Sequence, residues 1–442
     1  MIHRSLRFID GLLRTAIAIL IVSVSHECGA EEVTRAKPNI LVLMADDLGW
    51  GDISLHGGSV PTPNIDRLAR EGVELQKYYG YPLCSPARAA LLTGQMPCRF
   101  GITQALGPRE PGLPAGLATL PRTLQSAGYQ TSLVGKWHLG TASPPLQSGF
   151  DQFYGFQGPE IDYFRHTNRN GQVDWQRNGK TLHEEGYSTF LLAEEVIRRI
   201  EDRDLQQPFY LQVAFNAPHF PFAAPAEYLA KYRDLNQTAA TRAAMVDALD
   251  NAIGRILETL DDEGLRQQTL VVFLSDNGAD QSGRNAPWRS GKGSVYEGGI
   301  RLPCLMRWPG VITANSQSRQ PITTQDLFPT LVSAANVRMP DSAKVDGQDL
   351  WPAIQAGRLT DRGPFLIAAA QAAVFDGDWK LIEFSDGTTS LFDLSQDPGE
   401  SRDLNRERMD IATRLQAMLA EWKQQFPMVQ PRRRPGGRPI PQ

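Results

Sequence analysis

Four apolar runs in this chain each end in residues that could do chemistry. Asn39-Ile-Leu-Val-Leu-Met44 is followed by Asp46-Asp47-Leu48-Gly49, and Thr269 to Leu274 by Ser275-Asp276-Asn277-Gly278. Asp46, Asp47, Asp276 and Asn277 all offer oxygen, with no His or Cys at matching positions. A hard donor set of that kind suits Ca²⁺ or Mg²⁺ rather than Zn²⁺. Neighbourhoods of Asp, Asn and Gly also make ordinary turns, and either pair alone is better read that way. Two pairs, each closing a strand of buried type, point to a metal site. Thr131-Ser-Leu-Val134 leads into Gly135-Lys136-Trp137-His138, and Phe209 to Phe215 into Asn216-Ala217-Pro218-His219. Lys136, His138 and His219, with Lys292 in a Gly-rich stretch, could hold an anion or move a proton. Taken singly, each reads as a turn lysine or a satisfied loop histidine.

Cys84 opens the segment Cys84-Ser85-Pro86-Ala87-Arg88-Ala89-Ala90-Leu91-Leu92-Thr93-Gly94. Pro86 fits the first turn of a helix, Ala and Leu propagate it, and Gly94 fits its end. Cys84 then sits at a helix N-terminus, where free N–H groups and the dipole favour anions. Arg88, one turn on, adds a fixed fork of donors for an oxyanion. A lone cysteine is ordinarily a small buried hydrophobe, and a low-pKa thiolate nucleophile is the next reading.

These residues act together only if the fold brings the run ends to one place. Between the runs lie helical patterns. From Ala243 to Leu260, Met245, Leu249, Ala252, Ile253, Ile256, Leu257 and Leu260 form one stripe, with Gly264 placed to stop it. Strands alternating with helices imply a largely parallel, helix-covered sheet, in which ligands sit outside the carboxyl ends of the strands. Four polar run ends therefore point at one shared site. From Phe365 the texture changes. Val374 to Ile382 and Ser390 to Leu394, with Asp397-Pro398-Gly399-Glu400, read as short antiparallel strands with turns, and a helix near Asp410 to Gln425 should pack on them.

Composition sets the outer bounds. The chain has 442 residues, 41% apolar and 21% charged, which excludes a disordered chain, a collagen-like repeat and a multi-span membrane protein. A net charge of −4 argues against a nucleic-acid binder. Arg4 and Arg7, the apolar run Thr15 to Val24, and the small residues Cys28-Gly29-Ala30 read as a cleaved secretory signal. A membrane anchor is the rival, but the run falls short of the roughly 20 residues a span needs, and Arg14 directly before it counts against a longer apolar stretch. The expected product is exported, periplasmic or secreted, with no integral span after cleavage. Arg432, Arg433, Arg434 and Arg438 among Pro and Gly make a basic tail expected to be disordered.

Five of these blocks occur in an order that resembles the type I sulfatases of the alkaline-phosphatase superfamily. They are Asp46-Asp47-Leu48-Gly49, Cys84-Ser85-Pro86-Ala87-Arg88 with Leu-Leu-Thr-Gly, Gly135-Lys136-Trp137-His138, Ala217-Pro218-His219, and Asp276-Asn277-Gly278. The last leads into Gly291-Lys292-Gly293-Ser294-Val295-Tyr296-Glu297-Gly298-Gly299-Ile300-Arg301, and the resemblance runs from about Pro38 to Asn405. It implies an α/β, alkaline-phosphatase-like fold. That fold has a large, mostly parallel mixed sheet with helices on both faces, and a small C-terminal antiparallel-sheet subdomain. The chain divides accordingly into signal peptide 1–30, catalytic domain 31–360, C-terminal subdomain 361–428 and basic tail 429–442.

The same resemblance implies that a maturation enzyme converts Cys84 to Cα-formylglycine. It further implies one Ca²⁺, in preference to Mg²⁺, held by Asp46, Asp47, Asp276, Asn277 and the modified residue 84. A hydroxyl of the hydrated aldehyde would attack sulfur, forming a covalent sulfate hemiester, and the other would then eliminate sulfate. Arg88, Lys136, His219 and Lys292 would contact the substrate, since charge developing on sulfate oxygens calls for fixed cations. His219 would protonate the leaving alcohol and His138 would hydrogen-bond the diol. How protons are divided between His138, His219 and Lys292 stays open.

The implied activity is hydrolysis of sulfate esters of a sulfated carbohydrate, with a sulfated small molecule or polysaccharide as the substrate partner. The insert from Phe150 to Tyr187 carries Asp162, Tyr163, Arg165, His166, Arg169, Trp175, Arg177 and His183, some of which could form sugar subsites. Two other readings stand beside the sulfatase: a phosphodiester or phosphonate monoester hydrolase, and a non-catalytic glycan-binding relative. With Cys28 lost and Cys84 converted, Cys98 and Cys304 remain as thiols that could pair in an oxidising compartment.

Overall fold

In the computed structural model the run at Asn39 becomes the strand Asn39–Ala45, buried along its whole length. It lies parallel between Phe209–Ala214 and Thr269–Ser275. The structure describes residues 37–425; the signal segment and the basic tail lie outside the described residues. Leu41, Leu43 and Ala45 point into one core with Met245, Leu249, Ile253 and Ile256 of the helix Gln237–Asp262. Ile40, Val42 and Met44 point into a second core with Leu91, Leu124 and Leu331 from three other helices. Both faces of the strand are covered, so both of its alternating sets must be apolar.

Ten strands make the sheet, in the order Ser316–Ser318, Val73–Leu75, Cys304–Arg307, Thr269–Ser275, Asn39–Ala45, Phe209–Ala214, Gln130–Lys136, Gln152–Phe156, Gln176–Arg177 and Lys180–Thr181. The strands from Thr269–Ser275 to Gln152–Phe156 are mutually parallel. Cys304–Arg307 and Gln176–Arg177 run antiparallel to both of their neighbours, giving the expected mixed sheet. Parallel central strands end on one side, so Asp46, Asp276, Lys136 and the loop to His219 emerge together.

Gly135 is the tightest point of that arrangement. Its φ is +112°, and a Cβ there would lie 2.0 Å from the Ala214 carbonyl oxygen on the paired strand. Gly135→Ala is expected to cost about 2–4 kcal/mol of stability and to displace the adjoining Lys136. A denaturant melt indistinguishable from the parent would show that the strand pair absorbs the methyl group.

The C-terminal texture change is a four-stranded antiparallel sheet: Phe365–Ala368, Ala372–Asp376, Trp379–Glu383 and Thr389–Asp393. Leu366, Val374, Leu381 and Leu391 on one face meet Ile411, Leu415 and Leu419 of the helix Met409–Gln425. Ile367, Phe375, Ile382 and Phe392 on the other face meet Tyr79, Ala87, Ala90 and Val295. This small sheet therefore covers the outer side of the helix that begins at Cys84. Cys98 and Cys304 are both buried free thiols, one beneath the C-terminal helix and one in the main sheet's core, so the pairing considered from sequence is not made. Among the described residues no helix is long and apolar enough to cross a membrane.

Candidate active site

The helix Cys84–Thr93 starts and stops where its sequence says, with Leu83 extended before it and Gly94 left-handed after it. Every residue in it is buried, because Leu91 and Leu92 face the main core while Ala87 and Ala90 face the C-terminal sheet. Cys84 Sγ lies 3.3 Å from Asp46 Oδ1. Burial, and then the Asp46 carboxylate, push the thiol well above its ordinary value, so residue 84 is a neutral thiol rather than a thiolate.

Carboxylates and cations interlock around it. Arg88 Nη2 donates to Asp276 Oδ2 at 2.9 Å and lies 3.6 Å from Asp46 Oδ2, while its Nη1 donates to the Lys136 carbonyl at 3.0 Å. Lys136 Nζ donates to Asp46, and both side chains are fully buried. Lys292 Nζ lies 2.7 Å from each oxygen of Asp47. Burial alone would raise Asp46, yet Lys136, His219, Arg88 and Lys292 together hold it well below the usual carboxylate range. Asp276 goes the other way, raised by burial and by Asp46.

Asn277 Nδ2 donates to Asp47 Oδ1 at 2.7 Å and to the Gly278 carbonyl at 2.9 Å, which leaves its Oδ1 buried without a partner. Three buried carboxylates and an orphaned amide oxygen form a hard donor set, which fits a divalent cation of the Ca²⁺ type. Ligand atoms of Asp46, Asp47, Cys84 and His219 all lie within 4.8 Å of one another. His219 thus joins a cluster that the sequence suggested from oxygen donors alone. Arg242 is a member that sequence reasoning missed. It pairs with Asp52 and donates to the Asp47 carbonyl at 2.8 Å, fixing the left-handed turn at Asp47 (φ +65°). Arg242 and Asp250 are the charged residues on the buried side of the long helix, a placement that marks each as paired.

Hydrogen-bond partners settle the two histidine tautomers. His138 Nε2 faces the Leu106 carbonyl at 2.9 Å, and a carbonyl only accepts, so Nε2 carries the proton. Nδ1 is left as a bare acceptor, buried and unpartnered. Burial, then Lys136 and Arg88, push this imidazole well below its ordinary value, which keeps it neutral. His219 Nδ1 likewise faces a carbonyl, that of Phe220, at 2.5 Å, while Nε2 lies 3.7 Å from Asp47 Oδ2. Burial lowers His219, with Asp46 opposing.

A cavity of about 560 Å³ opens over Cys84, His138, His219 and Lys292. Its outer wall carries Gln104, Glu110, Glu160, Asn168, Arg169 and Asn170. Of the eight insert residues singled out in sequence, Arg169 alone lines this cavity, paired with Glu160. The Tyr163 hydroxyl lies 2.6 Å from the Asn216 carbonyl and 2.8 Å from that of His219, so it clamps the His219 loop from behind. Trp175 is buried and stacked on His166, Arg177 is tied to Glu195, and exposed Arg165 pairs with Asp162. His183 is exposed outside the cavity lining. Aromatic and basic types alone did not separate clamps from cavity wall.

Known proteins resemble this chain over most of its length. The sulfatase family model matches residues 38–337. Human N-acetylgalactosamine-6-sulfatase is 34% identical over 461 residues, covering 89% of this chain and 87% of that protein. The crystal structure of Ps i-CgsB in complex with k-i-k-neocarrahexaose is 31% identical with a TM-score of 0.83, covering 90% of this chain and 94% of that one. A phosphonate monoester hydrolase of Agrobacterium radiobacter, at 22% identity and a TM-score of 0.65 over 89% of this chain and 96% of that one, shares the fold alone. With five motif blocks gathered at one set of strand ends and relatives matched over most of its length, the chain belongs to the sulfatase family, the sulfuric ester hydrolases of the alkaline-phosphatase-like fold.

Proposed function

We propose that this chain is an exported sulfatase that hydrolyses sulfate esters of a carbohydrate, using Cα-formylglycine made from Cys84 by a maturation enzyme. The observation that carries the reading is the position of residue 84. It lies at the floor of the cavity, at a helix N-terminus, among three carboxylates and three cations. When present, Ca²⁺ on Asp46, Asp47, Asp276, Asn277 and residue 84 supplies charge against the sulfate oxygens, and the hydrated residue 84 supplies a hydroxyl nucleophile.

The chain's own side chains do the remainder. Arg88, Lys136 and Lys292 are held by buried carboxylates before substrate arrives, so their charge needs no reorganisation as charge develops on sulfate. His138 offers Nδ1 as an acceptor for a residue-84 hydroxyl proton. His219 keeps its Nδ1–H on the Phe220 carbonyl, so Nε2 gives a proton to the leaving alcohol only after taking one up, as the imidazolium beside Asp47. Gln104, Glu110, Glu160, Asn168 and Asn170 give the wall carboxylate and amide partners suited to sugar hydroxyls. The substrates named for the human relative and for the neocarrahexaose complex support a carbohydrate.

Turnover of an aryl sulfate, an aryl phosphodiester and sulfated oligosaccharides by the Ca²⁺-loaded chain tests the reading. Sulfate esters should be preferred by at least about 100-fold. The reverse ratio would move the chain to the phosphodiester and phosphonate hydrolases, and glycan binding without sulfate release would make it a binding protein. Chelation should abolish turnover and lower the thermal midpoint, with Ca²⁺ restoring both; ligand at about 1,000 times its Kd contributes about 4 kcal/mol. An unchanged midpoint and rate after chelation would remove the metal from the mechanism.

A further inference from the structure

The Lys292 loop is held from outside the main sheet. Lys380, in the C-terminal strand Trp379–Glu383, occupies a position facing the same way as Phe375, Ile382 and Phe392, the apolar residues that cover the Cys84 helix. It is nevertheless a lysine, with its side chain wholly buried. A buried ammonium is costly unless paired, and a buried pair is weak evidence for stability, so its presence asks for another reason.

Its partners supply one. Lys380 Nζ donates to Glu297 Oε1 at 2.8 Å and lies 2.7 Å from Glu400 Oε1, an ion pair without the alignment of a hydrogen bond. Glu297 and Glu400 are themselves fully buried. Glu400 holds both ends of the segment from 289 to 297. Its carbonyl accepts from Arg289 Nη1 at 2.6 Å, and its Oε2 accepts from the Glu297 N–H at 2.7 Å. Glu400 does this from a left-handed backbone (φ +55°), a conformation that costs a side-chain-bearing residue energy and persists where the surroundings impose it.

Lys292 lies inside the segment so clamped. Its N–H donates to the Ala279 carbonyl at 3.0 Å and that of Gly293 to Pro82 at 2.8 Å, one next to the Asp276-Asn277 turn and the other just before Cys84. The loop is closed on itself so tightly that a Cβ on Gly299 would lie 1.9 Å from the Ser294 carbonyl oxygen. The Glu297 end is thus packed against the segment that aims Lys292 at Asp47, and a shift there presses on that segment.

We infer that Lys380 is a positioning residue: through Glu297 and Glu400 it sets the place of the Lys292 ammonium, making the C-terminal sheet part of the active site's support. The inference rests on the role proposed above for Lys292. A double-mutant cycle in the full, Ca²⁺-loaded chain tests it, with kcat and KM for a sulfate ester as readouts. Lys380→Met is expected to lower kcat/KM by about 10- to 100-fold. In a Lys292→Ala background the same change should cost less than about threefold, because the residue it positions is gone. Equal losses in both backgrounds, or no loss from Lys380→Met alone, would overturn the inference. If Lys380→Met does not fold, Lys380→Met with Glu400→Gln removes one charge of each sign, and the same comparison decides. Full activity in Lys292→Ala alone would instead overturn the proposed role of Lys292, and this inference with it.

Discussion

Cys84→Ala is expected to abolish sulfate-ester turnover, a loss of at least about 10⁴-fold, while the protein remains folded. Sγ has one polar contact, at 3.3 Å to Asp46, and the helix around it is anchored by Ala and Leu on two faces. Deleting one sulfur from such a helix costs about 1 kcal/mol, far from unfolding a domain of this size. The loss of rate has to come from the nucleophile. The two candidate nucleophiles differ in what else they predict. A thiol attacking directly would leave active protein with an unmodified cysteine, although burial keeps this thiol neutral. Formylglycine makes activity proportional to the fraction of chains carrying aldehyde. Lys77 and Arg88 bound a tryptic peptide, Tyr78 to Arg88, that reports this fraction directly by mass. Preparations of differing occupancy should give turnover rising linearly with aldehyde from an intercept of zero. Fully active protein whose peptide carries only thiol would sink the proposed chemistry.

The sequence made some of this legible and hid the rest for physical reasons. Buried parallel strands must be apolar on both faces, so the runs at Asn39, Phe209 and Thr269 announce themselves, and a parallel sheet then gathers their ends. Proline near the start and glycine at the end of the Cys84 helix encode its limits locally. Partners far apart in the chain leave no such trace. Arg242 reaches Asp52 across 190 positions, and Lys380 reaches Glu297 across 83. Each looks in sequence like one more charged residue. Tyr163 illustrates the opposite error: an aromatic in a long insert suggests a sugar platform, but its hydroxyl is spent on two backbone carbonyls behind His219. Residue type states what a side chain can do, whereas burial and partner state what it does.

Arg88→Met should separate the stability of the site from its chemistry. Arg88 is almost wholly buried and lies between Asp276 at 2.9 Å and Asp46 at 3.6 Å. Taking the guanidinium away leaves Asp276 with no cation in hydrogen-bond contact and Asp46 with Lys136 alone. Removing one partner of a buried ion pair costs about 3–5 kcal/mol, because the remaining charge stays desolvated. That penalty should appear in full in metal-free protein. A divalent cation bound by the same carboxylates neutralises them, so saturating Ca²⁺ should recover most of the lost stability, and the variant should gain more from Ca²⁺ than the parent does. Turnover should not return with it. Methionine restores neither the fork of donors one turn from residue 84 nor its fixed charge, and losing such a preorganised group costs about 10²- to 10³-fold in kcat. Melting curves with and without Ca²⁺, read beside kcat, resolve the two effects. If the metal-free variant is as stable as the parent, Arg88 does not hold the carboxylates. If Ca²⁺ restores stability and turnover together, the guanidinium acts only as a counter-charge, and its assignment to the sulfate is wrong.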